Sequence, residues 1–237
     1  MRRNLAEKRK ARRNDAGAPL AHRDGARHQQ AVQISSFLTL VFRRMYQPRA
    51  AMFSAEEVIK VLNAAGVKFV LMGAHGIGGW LPEPRASQDV DVLVQKRHHR
   101  KAIRAIQGAY PDLGIEDTPV VTRFNDPATG RVVIDLMKPV MLLHQRVFKS
   151  VTSAGPTHVV PDLEMALATK FAAMTSPNRE ERKKLLDGAD FMGMVQHNRE
   201  ALNRAKLRRL AEKVYTGGGN EILQLVEDIL AGRRIEF

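Results

Sequence analysis

The chain has no cysteine among its 237 residues. That excludes disulfide bonds, thiolate catalysis and cysteine-ligated zinc. Aromatic residues make up only 5%, so stacking platforms for single-stranded nucleic acid are scarce. No apolar run approaches the roughly 20 residues needed to cross a bilayer. The run Val32–Phe42 is broken by Gln33, Ser35 and Ser36, and it makes a poor signal segment. There is no internal repeat, no P-loop, no H-E-x-x-H pair and no nucleophile elbow. Gly76, Gly78 and Gly79 do not form a dinucleotide-binding fingerprint. These absences lead to the expectation of a protein with no membrane partner, and they are compatible with a reducing cytoplasm.

What is present is unevenly distributed. The net charge is +13, and residues 1–51 hold twelve of the 38 basic residues against three acids. That segment is expected to be a basic, disordered leader, a nucleic-acid-binding arm, a targeting sequence, or sequence upstream of a true start at Met52. From Met52 onward the pattern becomes regular. Ser54 and Glu57 form a capping box, and Val58, Ile59, Leu62 and Ala65 make the apolar stripe of a helix that ends at Gly66. Lys68–Met72 reads as a buried strand that runs into a glycine turn at Gly73. Lys96–Ala109 reads as a basic helix, and the connection NDPATG joins Pro119–Phe124 to Arg131–Met137 as a hairpin. A short strand is expected around His158–Val160, and helical periodicity dominates from Leu163 to Ile235. The expected organisation is therefore an α/β half at 52–160 followed by a helical half at 161–237.

Asp89 and Asp91 alternate along a strand otherwise rich in valine and leucine, so both carboxylates share one face. Two acids aimed the same way from an apolar strand are costly unless something neutralises them. Divalent metal does so, because Mg²⁺ favours one or two carboxylates together with substrate phosphates. Asp135 interrupts a second apolar strand, Val132–Met137. If the two strands are neighbours, three acids meet at one point, an arrangement suited to two-metal phosphoryl transfer. Each acid also has a structural reading, for a lone D-x-D is common and Asp135 could pair with Arg131.

The run GAHGIGGWLPEPRASQDVDVLV resembles the signature of the polymerase-β-like nucleotidyltransferases, particularly the abortive-infection toxin type (AbiEii-like). Arg85, Ser87, Asp89 and Asp91 match the family's R-x-[ST]-x-D-[hydrophobic]-D segment, Gly73 its first turn glycine and Asp135 its third carboxylate. Where the family has Gly-Gly or Gly-Ser, this chain has Gly73–Ala74, which lacks the hydroxyl but keeps the backbone N–H. The resemblance implies a mixed, mainly antiparallel sheet flanked by helices, followed by a C-terminal helical region. It implies that Asp89, Asp91 and Asp135 hold Mg²⁺ or Mn²⁺, and that Gly73 and Ala74 bring main-chain amides to an NTP. Arg85 and Ser87 would serve the phosphates or the metal-bearing strand. Lys170 would reach the triphosphate with help from Arg182 or Lys184, anchored by Asp187; Asp190 lies one helical turn beyond it. The activity implied is transfer of an NMP to an acceptor hydroxyl on RNA (a tRNA end included), a protein or a small molecule, in a toxin paired with an antitoxin. Two other readings remain: a non-catalytic nucleic-acid-binding or regulatory module that keeps the fold, and a metal-dependent phosphohydrolase. His75, Trp80, His98 and His99 carry weaker signals; Trp80 is expected to pack, and the adjacent histidines to point apart.

Overall fold

The computed structural model of the chain describes residues 20–47 and 49–235. Helix α1 (Leu20–Tyr46) leads into α2 (Ala55–Ala64), strand β1 (Phe69–Leu71) and the short α3 (Gly73–Ile77), which continues as a 3-10 turn over Gly78–Trp80. Strand β2 (Val90–Val94) is followed by α4 (His99–Ala109), then β3 (Gly114–Asp117), β4 (Val121–Asn125) and β5 (Val132–Met137). Helix α5 (Leu142–Val147) precedes the small hairpin β6 (Val151–Ser153) and β7 (Val159–Pro161). The chain ends in helices α6 (Leu163–Met174), α7 (Glu181–His197), α8 (Arg204–Ala211) and α9 (Gly218–Leu230).

Five strands form one sheet in the order β1-β2-β5-β4-β3. Only β2 and β5 run parallel; the other three pairings are antiparallel. The fold class is thus the one the sequence leads one to expect, a mixed and mainly antiparallel sheet flanked by helices with a helical region behind it. The NDPATG connection does close a hairpin, with Asp126 accepting from the Ala128 amide and the Thr129 hydroxyl. The capping box is also formed, Ser54 and Glu57 each accepting from the other's backbone N–H. Three sequence readings shift in detail: the basic helix begins at His99 after a 3-10 turn over Lys96–His98, the late strand spans Val159–Pro161, and β3 was not anticipated.

The sheet divides the apolar core by the strict alternation of strand side chains. Phe69, Leu71, Val90, Val92 and Val94 face α2 and α4, joined by Ile59, Leu62, Ala102 and Ile106. Val70 and Leu93 face the other way, into a cluster built from Leu167, Phe171, Phe191, Met194 and the inner faces of α8 and α9. Asp91 has the parity of Leu93, so it projects from the sheet towards the helical half.

The segment 1–51 is described in part. Residues 20–46 are one helix laid over α3 and the 3-10 turn, with His28 meeting Trp80 edge to face at 4.4 Å between ring centroids. Gly79 permits that approach, because a Cβ there would lie 2.6 Å from the His28 ring carbons. Composition concealed this helix, since its inward face carries Ser35, Ser36, Thr39 and Arg43, all buried. Residues 1–19 lie outside the described residues. Among the described residues, no helix is long and apolar enough to cross a membrane.

Candidate active site

Parallel pairing of β2 and β5 sets Asp91 directly beside Asp135 in register. Asp89 stands one residue before β2, and its side chain accepts a 2.9 Å hydrogen bond from the Ser87 hydroxyl. One carboxylate oxygen from each of Asp89, Asp91 and Asp135 lies within 4.8 Å of the others. The acids form the floor of a cleft of about 780 Å³ that is also lined by Gly73, Arg123, Arg131, Lys170, Arg179, Arg182 and Lys183. A larger cavity, about 950 Å³, lies at the far ends of β2 and β5 and holds Lys96, Arg97 and Arg100. It has no carboxylate cluster, so size does not mark the chemistry here.

Burial, reinforced by the Asp89 and Asp135 charges, pushes the Asp91 carboxyl well above its ordinary range. Burial and Asp89 likewise push Asp135 up to about 6, against a weaker opposing pull from Arg123. Asp135 Oδ1 is buried without a hydrogen-bond partner, Arg123 approaching no closer than 3.9 Å. An orphaned carboxylate oxygen beside two other acids is a cation-shaped deficit, and an all-oxygen donor set fits Mg²⁺ or Mn²⁺.

Gly73 is required by geometry twice over. Its φ is +58°, in the left-handed region, and a Cβ there would lie 2.8 Å from Asp91 Cγ. The turn thereby brings main chain down onto the acid while the Met72 amide bonds the Asp91 carbonyl at 2.8 Å. Gly73→Ala is expected to fold less stably and to displace the Asp91 carboxylate. Thermal unfolding with and without Mn²⁺ checks this: the metal-induced rise in midpoint expected of wild type should shrink or vanish.

Lys170 is buried between two carboxylates, its Nζ donating to Asp187 and to Asp190 at 2.7 Å each. Arg85 does not turn to the three floor acids but grips Asp190 with two parallel bonds of 2.9 and 2.8 Å. That grip raises the guanidinium above its ordinary value. Burial presses Asp190 upward, yet Arg85 and Lys170 hold it below the usual carboxylate range. Arg179 closes the cluster on Asp187 at 2.8 Å. Of the two helpers anticipated for Lys170, Arg182 lines the cleft, whereas Lys184 pairs with Glu181 at 3.9 Å. Ala74 is buried at the cleft floor. His75 lies deep in the protein with neither ring nitrogen bonded, and burial lowers it to about 4. Trp80 packs, donating to the Pro161 carbonyl. His98 and His99 do point apart, to the Lys68 amide and the Thr122 hydroxyl.

The residues that sequence reasoning missed are on α1. Ser35 donates to the Arg85 carbonyl at 2.6 Å, Thr39 accepts from the Ser87 amide at 3.0 Å, and Arg43 donates to the carbonyls of Ala51, Phe53 and Gln88. The helix therefore holds the 85–88 segment, which carries Ser87 to Asp89. The one available signal was the spacing Ser35, Thr39, Arg43, a polar stripe four residues apart. Thr39→Val should leave α1 in place while orphaning the Ser87 amide. Stability is expected to fall by ~1–2 kcal/mol, read by urea unfolding.

No family model matches the chain, and no curated protein matches it. Solved structures similar to it include an antigenic nucleotidyltransferase-like protein from Paracoccidioides brasiliensis, 13% identical over 76% of this chain and 92% of that one, with a TM-score of 0.45. A Thermotoga maritima CCA-adding enzyme in complex with tRNA is 11% identical over 77% of this chain and 53% of its own, with a TM-score of 0.32. Terminal uridylyl transferase 4 from Trypanosoma brucei, with bound GTP, is 12% identical over 78% and 75%, with a TM-score of 0.28.

Proposed function

We propose that the chain is a metal-dependent nucleotidyltransferase, moving an NMP from an NTP to an acceptor hydroxyl. The observation that carries this reading is the meeting of Asp89, Asp91 and Asp135 on neighbouring strands under the Gly73 turn, facing a wall of arginine and lysine. Bound Mg²⁺ or Mn²⁺ would supply charge stabilisation for the entering and departing oxygens. Residues 52–160 would form the catalytic core and 161–237 would complete the nucleotide site.

The roles of the chain's own groups follow from charge and position. Gly73 and Ala74 would offer main-chain N–H groups to the triphosphate. Arg179, Arg182 and Lys183 line the cleft and would neutralise its charge, with Lys170 contributing from inside the buried ion cluster. Arg85 and Ser87 act on the protein itself: Arg85 ties the loop to α7, and Ser87 orients Asp89. Asp135, in register beside Asp91, would complete one metal site and help activate the acceptor hydroxyl. The acceptor oxygen would attack the α-phosphorus, its proton passing to Asp135, while the bond between the α-phosphorus and the bridging oxygen breaks and pyrophosphate leaves.

The acceptor classes are RNA, a tRNA end included, a protein hydroxyl and a small molecule. Resemblance to the abortive-infection type favours a cytoplasmic toxin with an antitoxin partner. The test supplies each of four α-labelled NTPs with Mg²⁺ or Mn²⁺, total RNA and protein extract, and a panel of hydroxylated small molecules. Label on an acceptor with wild type, and none with Asp89→Ala, supports the reading. Failure to bind any NTP in the presence of metal would replace it with a non-catalytic binding module. Growth arrest on induction of wild type but not Asp89→Ala would support the toxin role.

A further inference from the structure

From Ile34 to Tyr46, helix α1 is amphipathic in the reverse sense. Its buried face carries Ser35, Ser36, Thr39 and Arg43, with Arg43 only 3% exposed. Its outer face carries Ile34, Phe37, Leu38, Val41, Phe42, Met45 and Tyr46, the spacing of a continuous helical stripe. Phe37, Met45 and Tyr46 are 65%, 67% and 68% exposed. Between Ile34 and Tyr46 the only charge on that face is Arg44.

The helix cannot hide the stripe by turning over. Half a rotation would strand the Arg43 guanidinium and the three carbonyls it satisfies, along with the Thr39 and Ser35 bonds to the 85–88 segment. Breaking a set of buried polar contacts costs several kcal/mol. The apolar face is therefore locked outward by the polar one.

An exposed apolar patch beyond a few hundred Å² marks an interaction surface. A fully covered aromatic side chain contributes roughly 150–250 Å², so the stripe presents on the order of 600 Å², most of the roughly 800 Å² per partner of a stable interface. Residues 1–19 do not match it, since Met1 and Leu5 are their only large apolar side chains and six of them are arginine or lysine among the first twelve positions. A stripe of one helix that is apolar along its length and nearly uncharged is complementary to itself, as a two-fold interface requires.

We propose that α1 pairs with α1 of a second copy, antiparallel across a two-fold axis near Leu38 and Val41. The apolar stripes of the two helices interdigitate, and Arg44 of each copy lies towards Gln33 of the other, away from its own counterpart. Phe42 lines the carboxylate cleft as well as the stripe, so the dimer places both cleft mouths beside the shared interface. The proposal stands independently of the chemistry in that cleft.

Sedimentation equilibrium of the full chain at micromolar concentration tests it, beside the Phe37→Asp/Met45→Asp double variant. Both positions are exposed, so the variant should keep the far-ultraviolet circular dichroism of wild type. The expected mass is twice the 26.5 kDa of one chain, halved in the variant. Single cysteines in this cysteine-free background add a geometric readout. Val41→Cys should oxidise to an interchain disulfide, whereas Gln30→Cys should not, because equivalent positions separate by about 3 Å per residue from the axis along antiparallel helices. A wild-type mass of 26.5 kDa would overturn the proposal, as would a dimer unaffected by the double substitution. Monomers that float with neutral phospholipid vesicles through this stripe would overturn it too, in favour of a lipid surface.

Discussion

Under the proposed function, Asp91→Asn is expected to abolish nucleotidyl transfer and at the same time to stabilise the metal-free protein. The loss of activity follows from geometry: one oxygen each of Asp89, Asp91 and Asp135 lies within 4.8 Å of the others, and removing the Asp91 charge takes away one of the three acids that would hold a divalent cation. A metal ion supplies several kcal/mol of transition-state stabilisation. At about 1.4 kcal/mol per tenfold, a fall of ~10³ or more is expected. The gain in stability follows from the raised carboxyls. A carboxyl whose folded-state value lies above its unfolded one favours the native state while protonated, and that contribution is lost as pH rises through the window between the two. For Asp135 the window runs from the ordinary 3.8 to about 6; Asp91 shifts in the same direction. At neutral pH the metal-free fold therefore holds carboxylates that are buried and, secondarily, repel one another, and an amide relieves both costs. For Asp135→Asn the relief is on the order of 2–3 kcal/mol, or a rise of roughly 5–10 °C in midpoint. Calorimetry at pH 7.5 in chelator, repeated at pH 4, checks both variants. The gain over wild type should be present at the higher pH and vanish at the lower.

Asp190→Ala is the second large effect, and it acts oppositely. Asp190 holds Arg85 with two hydrogen bonds and shares Lys170 with Asp187. Its removal leaves Lys170, itself buried, with one carboxylate against the cation of Arg179 nearby. Taking one partner from a buried ion cluster destabilises by roughly 3–5 kcal/mol, because the remaining charge stays desolvated. The midpoint should drop by ~10 °C or more. Because Arg85 belongs to the segment that leads into Asp89, activity at a temperature where the variant is still folded should fall as well. A cycle with Lys170→Met distinguishes a coupled cluster from independent contacts: the double variant should be less destabilised than the sum of the two singles.

How far the sequence alone reaches can be argued from these residues. Asp89 and Asp91 were legible as a pair because strand periodicity alone sets them on one face, and Asp135 because an acid interrupts an apolar strand. The contact between Asp91 and Asp135 depends on β2 pairing with β5 across intervening β3 and β4, a long-range choice that no local pattern encodes. Asp187 and Asp190 were legible as neighbours one turn apart, and Lys170 as their companion only through resemblance. The Arg85–Asp190 bond spans 105 positions in the chain and left no local trace. β3 (GIED) is exposed along its whole length and has no alternation to betray it. Helix α1 escaped notice for a different reason. From Ile34 onward its polar face is the buried one, so the usual inference from apolar stripe to core would have turned it inside out.

The bond that is broken tests the central claim most directly. Parallel reactions with α-labelled and γ-labelled NTP, Mn²⁺ and the acceptor fraction should deposit α-label on the acceptor and release γ-label as pyrophosphate, with both signals lost in Asp91→Asn. Transfer of γ-label to the acceptor, or its release as inorganic phosphate without α-label transfer, would contradict the account and assign the three carboxylates to a different phosphoryl chemistry.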